Sequence, residues 1–275
     1  MEASSELAAG RLDGALAAVK DLIRKNPADS SHRTLLFQLY CVLGNWDAAE
    51  TQIKVVSDLD PGTVLFTQVY TRALQCEKER REVLAGNKTP VIIGEPDAWL
   101  GNLQEAFRLG ALGDWPSAVA QQQQAFEMAP GSTGTINGTA FQWICDADSR
   151  FGPVLEAFID GNYRWIPFHR ISSIFIDQPR HLIDTIWLPA KLTWTNQGMT
   201  KGFIPAIYPG SDTHEDPLIK LGRKTDWDQK GEDYFCGLGQ KLFATDTGDY
   251  PAVEIREILL SHADAGVAVQ SAENG

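Results

Sequence analysis

The stretch CDADSRFG, Cys145 to Gly152, is where this chain of 275 residues comes nearest to reactive chemistry. Cys145 supplies a thiol, Asp146 and Asp148 alternate as metal-binding carboxylates often do, and His169, Asp177 and His181 follow downstream. A thiol, an imidazole and a carboxylate brought together would make a nucleophile, its base and the group that orients the base. Two carboxylates are too few to hold a cation, and the other ligands of a calcium loop are missing. Arg150 is the residue suited to neutralise them in a turn. His169, between Phe168 and Arg170, reads more simply as a structural or exposed histidine. A hydrolase or metal-dependent enzyme using Cys145, Asp146, Asp148 and His169 is therefore kept as an alternative.

Other catalytic signatures are absent from the sequence. There is no HExxH, GxSxG or GxxxxGK[ST], and the closest dinucleotide-like run, GLGQKL from Gly237 to Leu242, lacks its third glycine. Cys41, Cys76, Cys145 and Cys236 lie far apart with no CxxC pair, as reduced buried thiols do. No cofactor or metal is expected. The formal net charge is −12, and the acidic excess is shared by both halves, which disfavours nucleic acid and favours a positively charged protein partner. The N-terminus MEASSELAAGRLDG has acidic residues where a signal peptide needs basic ones, and no run approaches the ~18 apolar residues of a membrane span. A cytoplasmic protein without membrane insertion is expected.

The elements that must position any site come from a repeat. GNWDAAE at residues 44 to 50 returns as GDWPSAV at 113 to 119. Gly10, Gly44 and Gly113 are each followed by Ala15, Ala49 and Ala118, and then by Pro27, Pro61 and Pro130. The first two copies are offset by 34 residues, the tetratricopeptide period. Each mark has a reason: Gly ends the first helix of a hairpin in a conformation other residues resist, Ala lets the two helices approach, and Pro stops the second. Leu36, Tyr40, Ile53 and Val56 fill the amphipathic faces between them. Trp46 and Trp115 fall in the turns. The slot from 62 to 96 lacks the Gly and Ala marks but keeps one helix, TVLFTQVYTRALQCEKERREVLAG, and closes on Pro96 through the irregular NKTPVIIGEPD. Only nine residues precede Gly10, so the first copy is expected to give a single second-type helix that caps the stack.

After Pro130 the texture changes, starting with the turn-rich GSTGTINGTAF. Strands are expected in PVLEAFIDGNYRWIPF, turning at Asp160 to Asn162, in ISSIFID, and in AKLTWTNQGMTKGFIPAIYP, turning near Asn196 to Gly198. GQKLFATDTGDYP and AVEIREILL are expected to pair with each other, and short helices to sit near HLIDTIW and PLIKLGR. Trp143, Trp165, Trp187, Trp194 and Trp227 read as core residues before ligand platforms. The fold class is α+β: a tetratricopeptide-like helical-hairpin domain over 1–131, then a β-rich domain over 132–275, a curved sheet or partial barrel.

The ordered series LLFQLYCVLGNWDAAETQI, KTPVIIGEPDAWL, FQWICDADSRFGPVLEAFIDGNYRWIPF, IWLPAKLTW, GFIPAIYPGS, TDW and GLGQKLFATDTGDYPAVEIREI resembles the ImpE/SciE-type (TagJ) proteins, accessory proteins of bacterial type VI secretion systems. The resemblance covers roughly residues 7 to 260. It implies a cytosolic, non-enzymatic protein that contacts an N-terminal helix of the small contractile-sheath subunit and is linked to recruitment of the ATPase that disassembles contracted sheath. The family carries no established catalytic residues to transfer. Stacked hairpins make a concave surface that can take such a helix. The repeat register turns Thr34, Gln38 and Cys41, with Leu103 and Phe107, toward that groove. For Phe107 a core position between hairpins is an equal reading. A second alternative is a purely structural scaffold acting through the β-rich half.

Overall fold

The computed structural model describes residues 2–95 and 97–261. Seven helices come first: α1 (Glu2–Ala8), α2 (Leu12–Lys25), α3 (Ser30–Val42), α4 (Trp46–Leu59), α5 (Val64–Leu84), α6 (Ala98–Ala111) and α7 (Trp115–Met128). Gly10, Gly44 and Gly113 close α1, α3 and α6 with φ of +75°, +68° and +80°. At each, the glycine N–H and the next N–H fold back onto carbonyls of the last turn: Gly44 donates to Cys41 and Asn45 to Tyr40, and the same pair of bonds forms at Gly10 and at Gly113. This closure satisfies carbonyls that the helix end would leave unpaired, and only glycine takes its left-handed position without strain. Ala15, Ala49 and Ala118 are fully buried where the paired helices meet.

Two details differ from the repeat as read. The first copy is a complete if short hairpin, because α1 packs on α2. The third slot also keeps its glycine: Gly86 closes α5 with the same two bonds, but α5 runs 21 residues against 13 for α3, so the mark is displaced out of register. Residues 87–95 then replace the missing second helix, and Pro96 lies outside the described residues.

The first strand opens at Thr133, a few residues beyond α7. An eight-stranded antiparallel sheet is built from β1 (Thr133–Ile136), β2 (Thr139–Phe141), β4 (Val154–Ile159), β5 (Asn162–Pro167), β6 (Ile171–Ile176), β7 (Trp187–Trp194), β8 (Met199–Pro205) and β13 (Glu257–Ser261), in the order β2-β1-β13-β6-β7-β8-β4-β5. It stays open, with β2 and β5 at its edges. β3 (Ile144–Asp146), β11 (Leu242–Thr245) and β12 (Gly248–Pro251) form a three-stranded sheet, and β9 (Thr225–Gly231) pairs with β10 (Tyr234–Gly239). The short α8 (Pro217–Lys220) and a 3-10 turn at Leu182–Thr185 occupy the places expected for helices.

Turn chemistry sets the hairpins. Asn137-Gly138 and Asp160-Gly161 both have two consecutive positive φ values, +48° and +82°, then +51° and +73°, which match the twist of the flanking strands. The turn-rich GSTGTINGTAF is therefore itself the β1–β2 hairpin. The late segments do not pair with each other: GQKLFATDTGDYP folds on itself as β11–β12, and β13 inserts between β1 and β6.

Two cores follow from the two faces of the large sheet. One face packs Leu192, Ile174, Ile204 and Ile258 against Ile144, Phe243 and Ile255. The other sends Phe158, Trp165 and Trp187 into the faces of the helical hairpins, where they join Leu36, Leu39, Tyr70, Leu103 and Phe107 in a single cluster. Helices and sheet thus share one core. Trp165 and Trp187 are completely buried there, whereas Trp143 and Trp227 are 43% and 36% exposed and lie outside the expected core.

Candidate functional site at the helix-sheet seam

The hollow of the hairpins is filled by the chain's own sheet. Gln38, Cys41, Leu103 and Phe107 are all buried, and only Thr34 of the five remains half-buried, its hydroxyl donating to the Ser30 carbonyl at 2.9 Å. The Phe107 ring meets Trp165 edge-on at 5.2 Å and Phe151 at 5.9 Å. Cys41 borders a small cavity with Ile186, Ile207 and Tyr208, and burial raises its thiol pKa well above the ordinary range. Trp187 enters between two helices, stacked on Trp46 at 6.2 Å and on Tyr70 at 6.4 Å. A groove expected to stand open toward a foreign helix is closed because the outer face of β4, β5 and β7 carries aromatic side chains that need the same cover.

At the middle of this seam lies a buried ionic network. Glu156 stands in β4, in the otherwise apolar VLEAFI, on the face that meets α5. Arg80 of α5 donates to both its oxygens, Nε to Oε1 at 2.8 Å and Nη2 to Oε2 at 2.9 Å. Tyr163 Oη donates to Oε1 at 2.6 Å, and Trp165 Nε1 donates to Tyr163 at 2.7 Å. Lys241 Nζ donates to Glu156 at 3.1 Å and also to Asp146. Glu77 completes the group, accepting from Trp187 Nε1 at 3.2 Å and from Arg80 at 3.4 Å.

Burial alone would raise the Glu156 pKa, but the Arg80 guanidinium and Lys241 outweigh it and hold the carboxyl below its ordinary range. Asp146 behaves oppositely: burial, together with Asp148 and Glu156 nearby, pushes it up to about 6 despite Lys241. Such a set of charges is tolerable out of water only because each has an opposite partner and fixed hydrogen bonds.

The CDADSRFG residues are spent in the same way. Asp148 is gripped by Arg150, Nε to Oδ1 at 2.9 Å and Nη2 to Oδ2 at 2.5 Å, and accepts the Gly237 N–H at 2.8 Å. Asp146 accepts from Tyr208 Oη at 3.0 Å and from the Asp148 N–H at 3.0 Å. Burial pushes the Cys145 thiol up to about 12, so almost none is thiolate near neutrality. His169 sits in a 3-10 turn at Phe168–Arg170, its Nε2 3.4 Å from Asp97 and its ring against Trp99. Among the described residues, no group of three or more His, Cys, Asp and Glu side chains could hold a metal ion.

Sequence reasoning found Asp146, Asp148 and the Arg150 pairing but missed Arg80, Glu156 and Lys241. Glu156 carried the one available signal, a charge amid five apolar strand residues. Arg80 was hidden within the charge-rich EKERRE.

Comparison with known proteins fits this architecture. A tetratricopeptide repeat model matches residues 6–72 and the ImpE protein model matches residues 138–259. The chain is 42% identical, over 96% of its length and 93% of the relative's, to a Pseudomonas aeruginosa protein named type VI secretion system accessory component TagJ. The chain belongs to the ImpE/TagJ family. In this ImpE/TagJ-family chain, the repeat match covers most of the first two hairpins and the start of α5, and the ImpE match covers the strands from β2 into β13 and most of the buried network. A crystal structure of protein VPA1032 from Vibrio parahaemolyticus shares the fold, with a TM-score of 0.87 at 23% identity over 96% of this chain and 99% of that one. Among the described residues, no helix of this ImpE/TagJ-family protein is long and apolar enough to cross a membrane.

Proposed function

We propose that this chain is a non-enzymatic, cytoplasmic accessory adaptor of a type VI secretion system. In this reading it binds the N-terminal helix of the small contractile-sheath subunit and assists sheath disassembly or recruitment of the disassembly ATPase. The observation that carries the proposal is the 42% identity to TagJ along nearly the whole of both chains. The chemistry of the interior supports it: the carboxylates best placed for catalysis, Asp146 and Asp148, are tied to Lys241 and Arg150, and the thiol beside them is held protonated.

Helix recognition at Thr34, Gln38, Cys41, Leu103 and Phe107 would require the sheet half to withdraw from the hairpins. A partner helix is more readily received on another face. The test is capture of the small sheath subunit by the full chain, compared with capture of a subunit lacking its first helix. Helix-dependent capture is expected, and equal capture of both forms would reject the mode of binding.

A further inference from the structure

Among the described residues, the face of the large sheet that meets the helices is only half covered. Trp187, Phe158 and Glu156 lie under the helical layer, which then stops. Beyond it, Glu257, Phe175, Lys191 and Lys201 form one row across β13, β6, β7 and β8, and Leu259, Ser173, Thr193 and Met199 form the next. Phe175 is 37% exposed, Leu259 40% and Met199 69%. The N-terminal half of α5 makes a wall beside this shelf, where Leu65, Val69 and Arg72 follow at spacings of four and three and so share one side of the helix. Leu65 is 78% exposed and Val69 45%, and Val69 lines a single hollow with Phe175, Pro189, Lys191, Lys201 and Phe203.

We propose that this shelf between α5 and strands β6 to β8 is the docking surface for an amphipathic partner helix whose apolar side is flanked by carboxylates. Charge selects the occupant. Lys191 lies with its ammonium 4.8 Å from the Phe175 ring centroid, Lys201 is opposite it across the β7–β8 ladder, and Arg72 stands on the wall. Among the described residues, none of these three cations has a carboxylate within ion-pair distance, although Asp177 lines the same hollow, Asp160 lines a second hollow with Arg72 and Lys201, and Glu257 stands at the far end of the Lys191 row. The net charge of −12 favours a positively charged partner for the chain as a whole, but at this shelf three cations without an ion-pair partner among the described residues stand around exposed apolar side chains.

The shape selects a helix over a strand. Strands β6 and β7 beneath the shelf are interior ones paired on both sides, so no strand can be added along them, and only the Met199–Lys201 end of β8 runs past its pairing with β4. The neighbouring part of the same face is covered by helices, as sheet faces commonly are.

This proposal rests on the reading that the chain captures a helix of the small sheath subunit, and that subunit is the probe. Full-length Lys191→Glu/Lys201→Glu and Val69→Ser variants are expected to bind it at least tenfold more weakly than the parent chain, with unchanged thermal midpoints. Leu112→Ser, at an exposed apolar position following α6 and away from the shelf, is expected to bind normally. If the parent chain shows helix-dependent capture and the shelf variants match it, the functional reading stands and the shelf is wrong. Without helix-dependent capture by the parent chain, both fall. A chain ending at Ser261 is expected to bind as the full chain does; tenfold tighter binding would assign the shelf to residues 262–275 and overturn the proposal.

Discussion

Arg80 of α5 and Glu156 of β4 form a two-pronged ion pair with side chains 3% and 0% exposed, joining the repeat half of the chain to the sheet half. Removing one partner strands the other in a dry environment, a far larger loss than the pair's net worth. Glu156→Gln, which also weakens the hold on Lys241, is expected to lower unfolding stability by about 3–5 kcal/mol in urea titration. Arg80→Met combined with Glu156→Leu is expected to recover part of that loss, since both charges of the pair go together while Lys241 keeps Asp146 and Glu77 keeps the Trp187 N–H and Arg81.

Phe107 offers a packing test. Its ring is wedged against Trp165 and Phe151, so truncation opens a cavity at the seam. Phe107→Ala is expected to cost about 3–5 kcal/mol and to lower the thermal midpoint. An unchanged midpoint with loss of partner binding would instead place the partner at this residue.

Asp146 gives the interior a pH dependence of known sign. Its carboxyl titrates at about 6 in the folded chain, against an ordinary value of 3.8. Between about pH 4 and pH 6 the folded state therefore keeps a proton that the unfolded state has released, and this group's contribution to stability falls as pH rises. Glu156 acts in the other direction: its folded pKa is depressed below the ordinary 4.5, so its contribution is present above that value and lost as pH falls. In Asp146→Asn, the stability difference from the parent chain is expected to change between pH 4 and 6 and to level off above it, measured by urea unfolding at each pH. A flat difference across the window would refute the assignment.

Cys145 separates an adaptor from a thiol enzyme. With its pKa pushed up to about 12 by burial and by the neighbouring Asp146, it is expected to react with a thiol reagent at pH 8 far more slowly than the same residue in urea. Fast labelling of the native chain would revive the catalytic reading.

Local sequence patterns described the elements well and their docking poorly. The Gly10, Gly44 and Gly113 marks located three helix ends because a left-handed closure is a property of a few consecutive residues. The Asp160-Gly161 turn located the β4–β5 hairpin for the same reason. Gly86 escaped because α5 is about two turns longer than α3 and α6, which displaces the mark. The filling of the hairpin hollow by Trp165 and Trp187 depends on contacts between residues far apart in the chain, and no periodicity records them. The repeat register placed Leu103 and Phe107 on the concave side, but it could not say whose atoms would lie opposite. Lys241, in the plain GQKLF, gave no sign that it would sit fully buried between two carboxylates.

The insertion of β13 between β1 and β6 has a consequence for how the chain is made. Ribosomal synthesis delivers the β1–β2 hairpin before the other described strands of the large sheet and its bridging strand, β13, after them. Until Ser261 has emerged, β1 and β6 each present an unpaired edge, and the hairpin has no attachment to the rest of its sheet. Completion of the sheet is thus a late, long-range event, and a nascent chain stopped short of Glu257 would expose two strand edges open to association with other chains.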